Sequence, residues 1–191
     1  MTRKEVKIDS FRSAVGSILP VTGQLIIVTT VDTQGQINAA LKSDFMRMVS
    51  DPPIIGFSCN LTHHTAQNIL ETHEFVINVV GEHILEKTLE TAKDYPKGVN
   101  ELEKAGLTAI PSQEVSPPRI VECYVHLECR EEFHKIYDDE IIIFGRAVAA
   151  SVDENVFQAP CEERYRIVQP VFPLGEKKYA ILGEVKSFPG W

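Results

Sequence analysis

Hydrophobic and polar positions follow one another along the chain as a series of strand, turn and helix signals. Residues 24–32 (QLIIVTTVD) are β-branched and compact, and 33–36 (TQGQ) supply a turn in which Gly35 can adopt positive φ. Residues 37–45 (INAALKSDF) are expected to return antiparallel, although their small side chains make an unconventional packed strand. Asp51-Pro52-Pro53 punctuates the chain, after which 54–59 (IIGFSC) reads as a strand buried on both faces. A further strand is predicted over 73–80 (HEFVINVV). Residues 82–95 place Ile84, Leu85, Leu89 and Ala92 at helical spacing, and 99–107 (VNELEKAGL) reads as a short helix ending at Gly106. The long strand-like segment 117–136 is expected to pair with 139–153 across a turn at Tyr137-Asp138-Asp139. The closing residues 169–191, rich in Pro, Gly and aromatics, read as a surface arm of a single domain spanning 1–191.

Strands joined by short turns, with a few helices inserted, favour an antiparallel barrel with helical covers over a doubly wound parallel sheet. No GxGxxG follows an early strand, so a dinucleotide-binding βαβ fold is not expected.

Charge narrows the function classes. A formal charge of -8 disfavours a general nucleic-acid surface while allowing a local pocket for a small anion. The first residues, MTRKEVKIDSF, lack an apolar core of signal-peptide length, and no apolar run approaches the roughly 18 residues a membrane span needs. A cytoplasmic, membrane-free protein is the expectation. The four cysteines, Cys59, Cys123, Cys129 and Cys161, have no framework spacing and are expected to be free thiols. Cys123, His126 and Cys129 invite a metal reading, but strand alternation would point His126 away from both cysteines, so no metal site is expected. Cys59, at the end of a buried strand, reads as a small core residue rather than a nucleophile.

The richest stretch is 58–70 (SCNLTHHTAQNIL), where a buried run gives way to an amphipathic one. Thr62 is the expected N-cap, with Ala66, Ile69 and Leu70 as the buried stripe. Hydroxyls, amides and imidazoles (Ser58, Asn60, Thr62, His63, His64, Thr65, Asn68) crowd a helix start, whose free N–H groups and partial positive charge suit a phosphate. Read alone, the stretch serves equally well as a capped helix with solvated histidines. A second polar group, Thr29, Thr30, Asn38 and Ser43, lies among strands, while Ala39 and Ala40 leave main chain uncovered for a flat ligand. A wet hairpin face would look the same.

Together, in order and spacing, these segments resemble the flavin reductase-like family of FMN-binding split barrels, which includes the flavoredoxins. The matching elements are Thr29-Thr30, Gly35, Asn38-Ala39, Ser43, Asp51-Pro52-Pro53, Ser58 to Asn60, Thr65, Asn68-Ile69 and Glu74-Phe75-Val76. Pro118, the ECYVHLEC strand, Gly145 and Tyr179 extend the match over most of the chain. The resemblance implies a mainly β, six-stranded antiparallel Greek-key split barrel with helical insertions. It also implies a homodimer with flavin near the subunit interface, and FMN as cofactor.

By position, residues 37–43 would lie along the isoalloxazine, with Thr29 and Thr30 near the ribityl chain and 58–68, Cys59 included, around the phosphate. Lys42 would sit near the flavin's pyrimidine end, or else face solvent. The implied function is an FMN-binding oxidoreductase, a flavin reductase or flavoredoxin-like electron carrier, with NAD(P)H or a redox protein as partner and no catalytic side chain. The alternatives are an FMN-binding module without turnover and a split-barrel oxidase of pyridoxine-phosphate type. The chain departs from the family pattern at the 137–140 turn, which lacks a histidine, at Arg146, where Glu is common, and at Asp44, where an aromatic is common. These departures bear on NAD(P)H as donor rather than on flavin binding.

Overall fold

Six consecutive buried residues, Ile26–Val31, form strand β1, and the turn that follows closes at Gly35 with φ of 80°. The computed structural model describes residues 23–175, 177–186 and 188; the first residues, on which the targeting expectation rests, lie outside these. Strand β2 (Ile37–Lys42) returns antiparallel to β1, Thr30 opposite Asn38. Strand β3 (Met46–Val49) follows, then β4 (Ile54–Asn60), helix α1 (His64–Thr72) and β5 (Glu74–Val79). Helices α2 (Leu85–Glu90) and α3 (Glu101–Ala105) precede the short strands β6 (Ala109–Ile110) and β7 (Arg119–Ile120). The long hairpin β8 (Val125–Tyr137) and β9 (Glu140–Val152) turns at Asp138, whose φ is 52°. Helices α4 (Glu154–Gln158) and α5 (Cys161–Val168) and the ribbon β10 (Val171–Gly175) and β11 (Lys178–Ile181) complete the order.

The main sheet runs β2-β1-β5-β8-β9-β4-β3 and every pairing is antiparallel. Among the described residues it has seven strands where six were expected, because MRMV at 46–49 adds an edge strand. All four of its residues are exposed, so the alternation that would reveal it is absent. The sheet curls on itself: β1 and β4 are not neighbours, yet Ile26 and Val28 share one core with Ile55, Phe57 and Cys59. Helix α1 inserts Ala66 and Ile69 into that core. A second core, on the outer side of β1, gathers Ile27, Ala39 and Val80 beneath Leu102, Ile120 and Val171. Strand β1 is thus covered on both faces, which explains its continuous hydrophobic run.

Other expectations are adjusted by packing. The helix predicted over 82–95 is a 3-10 turn (Glu82–Ile84) followed by α2, which ends at Glu90, and Leu89 is exposed. The helix expected at 99–107 is α3, closed by Gly106 in the left-handed region with φ of 63°. The strand read over 117–136 is broken into β7 and β8. Leu127 and Cys129 face the inner core, whereas His126 bonds Ser151 Oγ and the Ile120 carbonyl on the other side. Cys123 belongs to the second core.

Asn78, fully buried on β5, ties three elements together. Its amide donates to the Ile27 carbonyl at 3.1 Å and to Thr29 Oγ1 at 3.2 Å, and its oxygen accepts the Ile120 N–H at 2.9 Å. Gly145 on β9 is required by close approach. A Cβ there would fall 2.3 Å from Phe75 Cζ, and Phe75 is itself fully buried and packed edge-on against Phe57. Gly145→Ala is expected to cost about 1–3 kcal/mol of stability through overpacking, read as a lower urea midpoint. An unchanged midpoint would show that Phe75 yields without cost.

Candidate functional site

A cavity of about 360 Å³ opens where the edge of β2 meets the start of α1. That volume falls in the range of small-molecule sites, about 300–1,000 Å³. Its walls come from β2 (Asn38 to Lys42), the helix start (Thr62 to Thr65), residues 91–95 and Glu101.

The helix start is fixed by side-chain hydrogen bonds rather than by a cap. Thr62, the expected N-cap, instead sends its N–H (2.9 Å) and hydroxyl (2.6 Å) to Asn60 Oδ1. His63 takes the N-cap position, its side chain makes no capping bond, and no side chain among the described residues accepts from the first turn. The first-turn N–H groups of α1, at the mouth of the cavity, therefore retain their donor capacity. Asn38 Nδ2 donates to Thr30 Oγ1 and Thr65 Oγ1, each at 3.1 Å, and Asn68 Nδ2 donates to Thr30 Oγ1 at 3.0 Å. Thr65 thus acts as acceptor toward Asn38, and its own hydroxyl proton remains for a group in the cavity.

Eight of the fifteen sequence-predicted positions line this cavity: Asn38, Ala39, Ala40, Lys42, Thr62, His63, His64 and Thr65. The others do not, for identifiable reasons. Thr29 faces away, its hydroxyl donating to the Pro118 carbonyl at 2.5 Å. Thr30 and Asn68 are buried behind the wall, Thr30 Oγ1 accepting from the amides of both Asn38 and Asn68. Ser58 gives both its N–H, at 2.8 Å, and its hydroxyl to the Asp44 carboxylate. Cys59 is 4% exposed in the inner core, and burial pushes its thiol up to about 11, as befits a packing residue. Asn60 serves Thr62, and Ser43 follows the end of β2 outside the cavity.

The outward donors of β2 are not open to a flat ligand as its small residues suggested. Ala39 N–H donates to Glu101 Oε2 at 3.0 Å, and Leu41 N–H to the Thr91 carbonyl at 3.2 Å. Thr91, Ala92, Lys93, Asp94, Tyr95 and Glu101 carry no signal in the sequence beyond the charge in 93–95 between two helices, because closing a strand edge from about 50 to 60 residues away leaves no local pattern. Lys93 sits 2.6 Å from Glu90, which also accepts from the Tyr95 hydroxyl; these two bonds, that of Lys93 foremost, hold the Glu90 carboxyl below its usual range. Lys42 has no ion pair among the described residues.

The donor set fits a phosphorylated, partly flat ligand: hydroxyls, two imidazoles, a helix N-terminus and Lys42 at one wall, with Ala39 and Ala40 as the low-relief floor. Among the described residues no cluster of three His, Cys, Asp or Glu is placed to hold a metal ion, and no helix is long and apolar enough to cross a membrane.

Comparisons with known proteins identify the family. An uncharacterized protein of Aquifex aeolicus is 36% identical over 166 residues, covering 83% of this chain and 84% of its own. Nitrilotriacetate monooxygenase component B from Bacillus cereus superposes with a TM-score of 0.88 at 24% identity, covering 98% of this chain and 100% of its own. The 2-nitrobenzoate 2-nitroreductase NbaA of Pseudomonas fluorescens gives 0.80 at 28% identity, with 94% and 90% covered. Residues 20–169 match the family described as flavin reductase like domain. The chain therefore belongs to the flavin reductase-like family and is a flavin-dependent oxidoreductase.

Proposed function

We propose that the protein binds FMN in the cavity between β2 and the start of α1 and serves as a flavin reductase or flavoredoxin-like electron carrier. The observation that carries this reading is the Thr65 hydroxyl, held by Asn38 with its proton free for the cavity, beside His64 and the uncapped first turn of α1. When bound, the flavin supplies the redox chemistry, taking up a hydride or electrons and passing them on. The chain's own residues bind and orient it. Thr65, His64 and the first-turn N–H groups would hold the phosphate, and Lys42 would supply positive charge along β2. NAD(P)H, a redox partner protein or free flavin would exchange electrons at the open side.

FMN rather than FAD is favoured by a single compact anion pocket without a second glycine-rich loop for an adenylate. The purified protein is expected to be yellow and to release about one FMN per chain on denaturation, checked by absorbance and chromatography. Colourless protein that fails to bind added FMN at micromolar concentration would sink the reading.

Thr65→Val and His64→Ala are expected to weaken FMN by about 1–3 kcal/mol each, roughly five- to 150-fold, while Thr65→Ser stays near wild type. Riboflavin, which lacks the phosphate, should bind all variants as it binds wild type. Equal losses for both flavins would move the phosphate grip elsewhere.

A homodimer is part of the same reading. Met48 and Phe144 both face the position a Cβ would take on Gly56, and Phe144 stacks on Phe133 at 4.3 Å. Met46, Met48, Val49 and Phe133 are exposed, which leaves an apolar stripe running from β3 to β8. The C-terminal arm adds exposed Leu174, Tyr179 and Phe188, with Phe172 half-buried. A C2 dimer would cover such surfaces. Light scattering is expected to give twice the chain mass; a stable monomer with flavin bound counts against the dimer.

A further inference from the structure

The charges around the cavity do not by themselves make an anion site. Lys42 and Lys93 are matched by Asp94 and Glu101, a formal balance of zero with neutral imidazoles, and Lys93 is already paired with Glu90. FMN's phosphate brings close to two negative charges near neutral pH. Glu101 is the buried carboxylate of the wall, 4% exposed, and no cation lies within ion-pair distance of it among the described residues. It accepts the Ala39 N–H at 3.0 Å, so the strand edge holds it against the cavity. The titratable groups that line the cavity with it are His63 and His64 from the helix start, Lys42 on β2, and Lys93, Asp94 and Tyr95 from the segment after α2, and of these His64 acts on its charge. On its own helix lie Glu103, engaged by Asn100, and Lys104.

We propose that Glu101 is a specificity-determining residue of the flavin site, taking up a proton from solvent when a phosphate monoester enters the cavity. Phosphorylated flavin would then be held in a proton-coupled manner and unphosphorylated flavin would not. This rests on the flavin reading above.

Burial raises the Glu101 carboxyl above its ordinary range, opposed by the Ala39 N–H, its own N–H and His64. A carboxyl so raised is readily reprotonated when an anion arrives beside it. The sign follows: the protonated form tolerates the phosphate, so FMN affinity falls as pH rises through the Glu101 pKa. The second phosphate ionisation, near pH 6, acts in the opposite sense, but it is common to wild type and variant and cancels between them.

The test titrates the full chain with FMN and with riboflavin from about pH 5.5 to 8.5, bracketing the phosphate ionisation, by calorimetry in two buffers of different ionisation enthalpy. Wild type is expected to take up protons with FMN and none with riboflavin. Glu101→Gln keeps an acceptor for Ala39 and removes the charge. It is expected to abolish that uptake and to bind FMN about three- to tenfold tighter near pH 8, with riboflavin unchanged. Zero proton uptake by wild type with FMN above about pH 7.5, where free and bound phosphate are both already dianionic, overturns the proposal without any variant. Uptake that persists in Glu101→Gln, or that disappears only in His64→Gln, also overturns it. If neither flavin binds wild type, the flavin reading itself falls, and this inference with it.

Discussion

The candidate site depends on one buried knot of amides and hydroxyls. Asn38 on β2, Thr30 on β1 and Thr65 and Asn68 on α1 are joined by three hydrogen bonds of 3.0 to 3.1 Å. All four are almost fully buried, and no buried side-chain nitrogen or oxygen among the described residues lacks a partner. Satisfied in this way, polar groups specify a unique arrangement; left half-paired, each would cost about 1–3 kcal/mol. The knot sets where α1 begins relative to the β1–β2 hairpin, and so where the helix presents its free N–H groups. Moving Asn38 by one position would turn its amide to the other face of β2, which the second core occupies.

The second constraint is the open edge of β2. An unpaired edge strand carries donors that seek an acceptor, and proteins cover such edges. Here Glu101 and the Thr91 carbonyl do so, bringing α3 and the segment after α2 against the strand. Covering the edge also builds the far wall of the cavity. Protection of the sheet and shaping of the site are therefore the same event, and a buried carboxylate comes to line the pocket.

How much of this was legible followed from how local each cause is. The β1–β2 hairpin showed in its β-branched run and in Gly35, and the apolar stripe of α1 in Ala66, Ile69 and Leu70. The helix start falls within two residues of the expected place, but Thr62 is not its cap: its N–H and hydroxyl are bound to Asn60 Oδ1, one residue ahead of the N-cap His63. Thr29 and Thr30 looked like one functional pair, yet adjacent strand residues face opposite ways, and both became internal partners. Glu101 was hidden by a sufficient local explanation: an acidic residue just after the Asn100 cap suits a helix first turn. Strand β3 and helix α2 misled for related reasons, since neither exposed Met46 to Val49 nor exposed Leu89 obeys a burial pattern.

Two of the three departures from the family pattern, Arg146 and Asp44, also resolve into local pairings. Arg146 forms a forked ion pair with Glu132 across the β8–β9 hairpin, Nε at 2.9 Å and the terminal nitrogen at 2.6 Å, and it lines no part of the cavity. Asp44 anchors Ser58 through both N–H and hydroxyl, in a place where an aromatic side chain could only pack. Each brings its own partner, a carboxylate for Arg146 and a hydrogen-bond donor pair for Asp44, and both pairings are exposed to solvent. At the cavity this chain combines a polar knot that fixes the helix start with a strand edge closed by a carboxylate. The first favours an anion, and the second opposes it until it is neutralised.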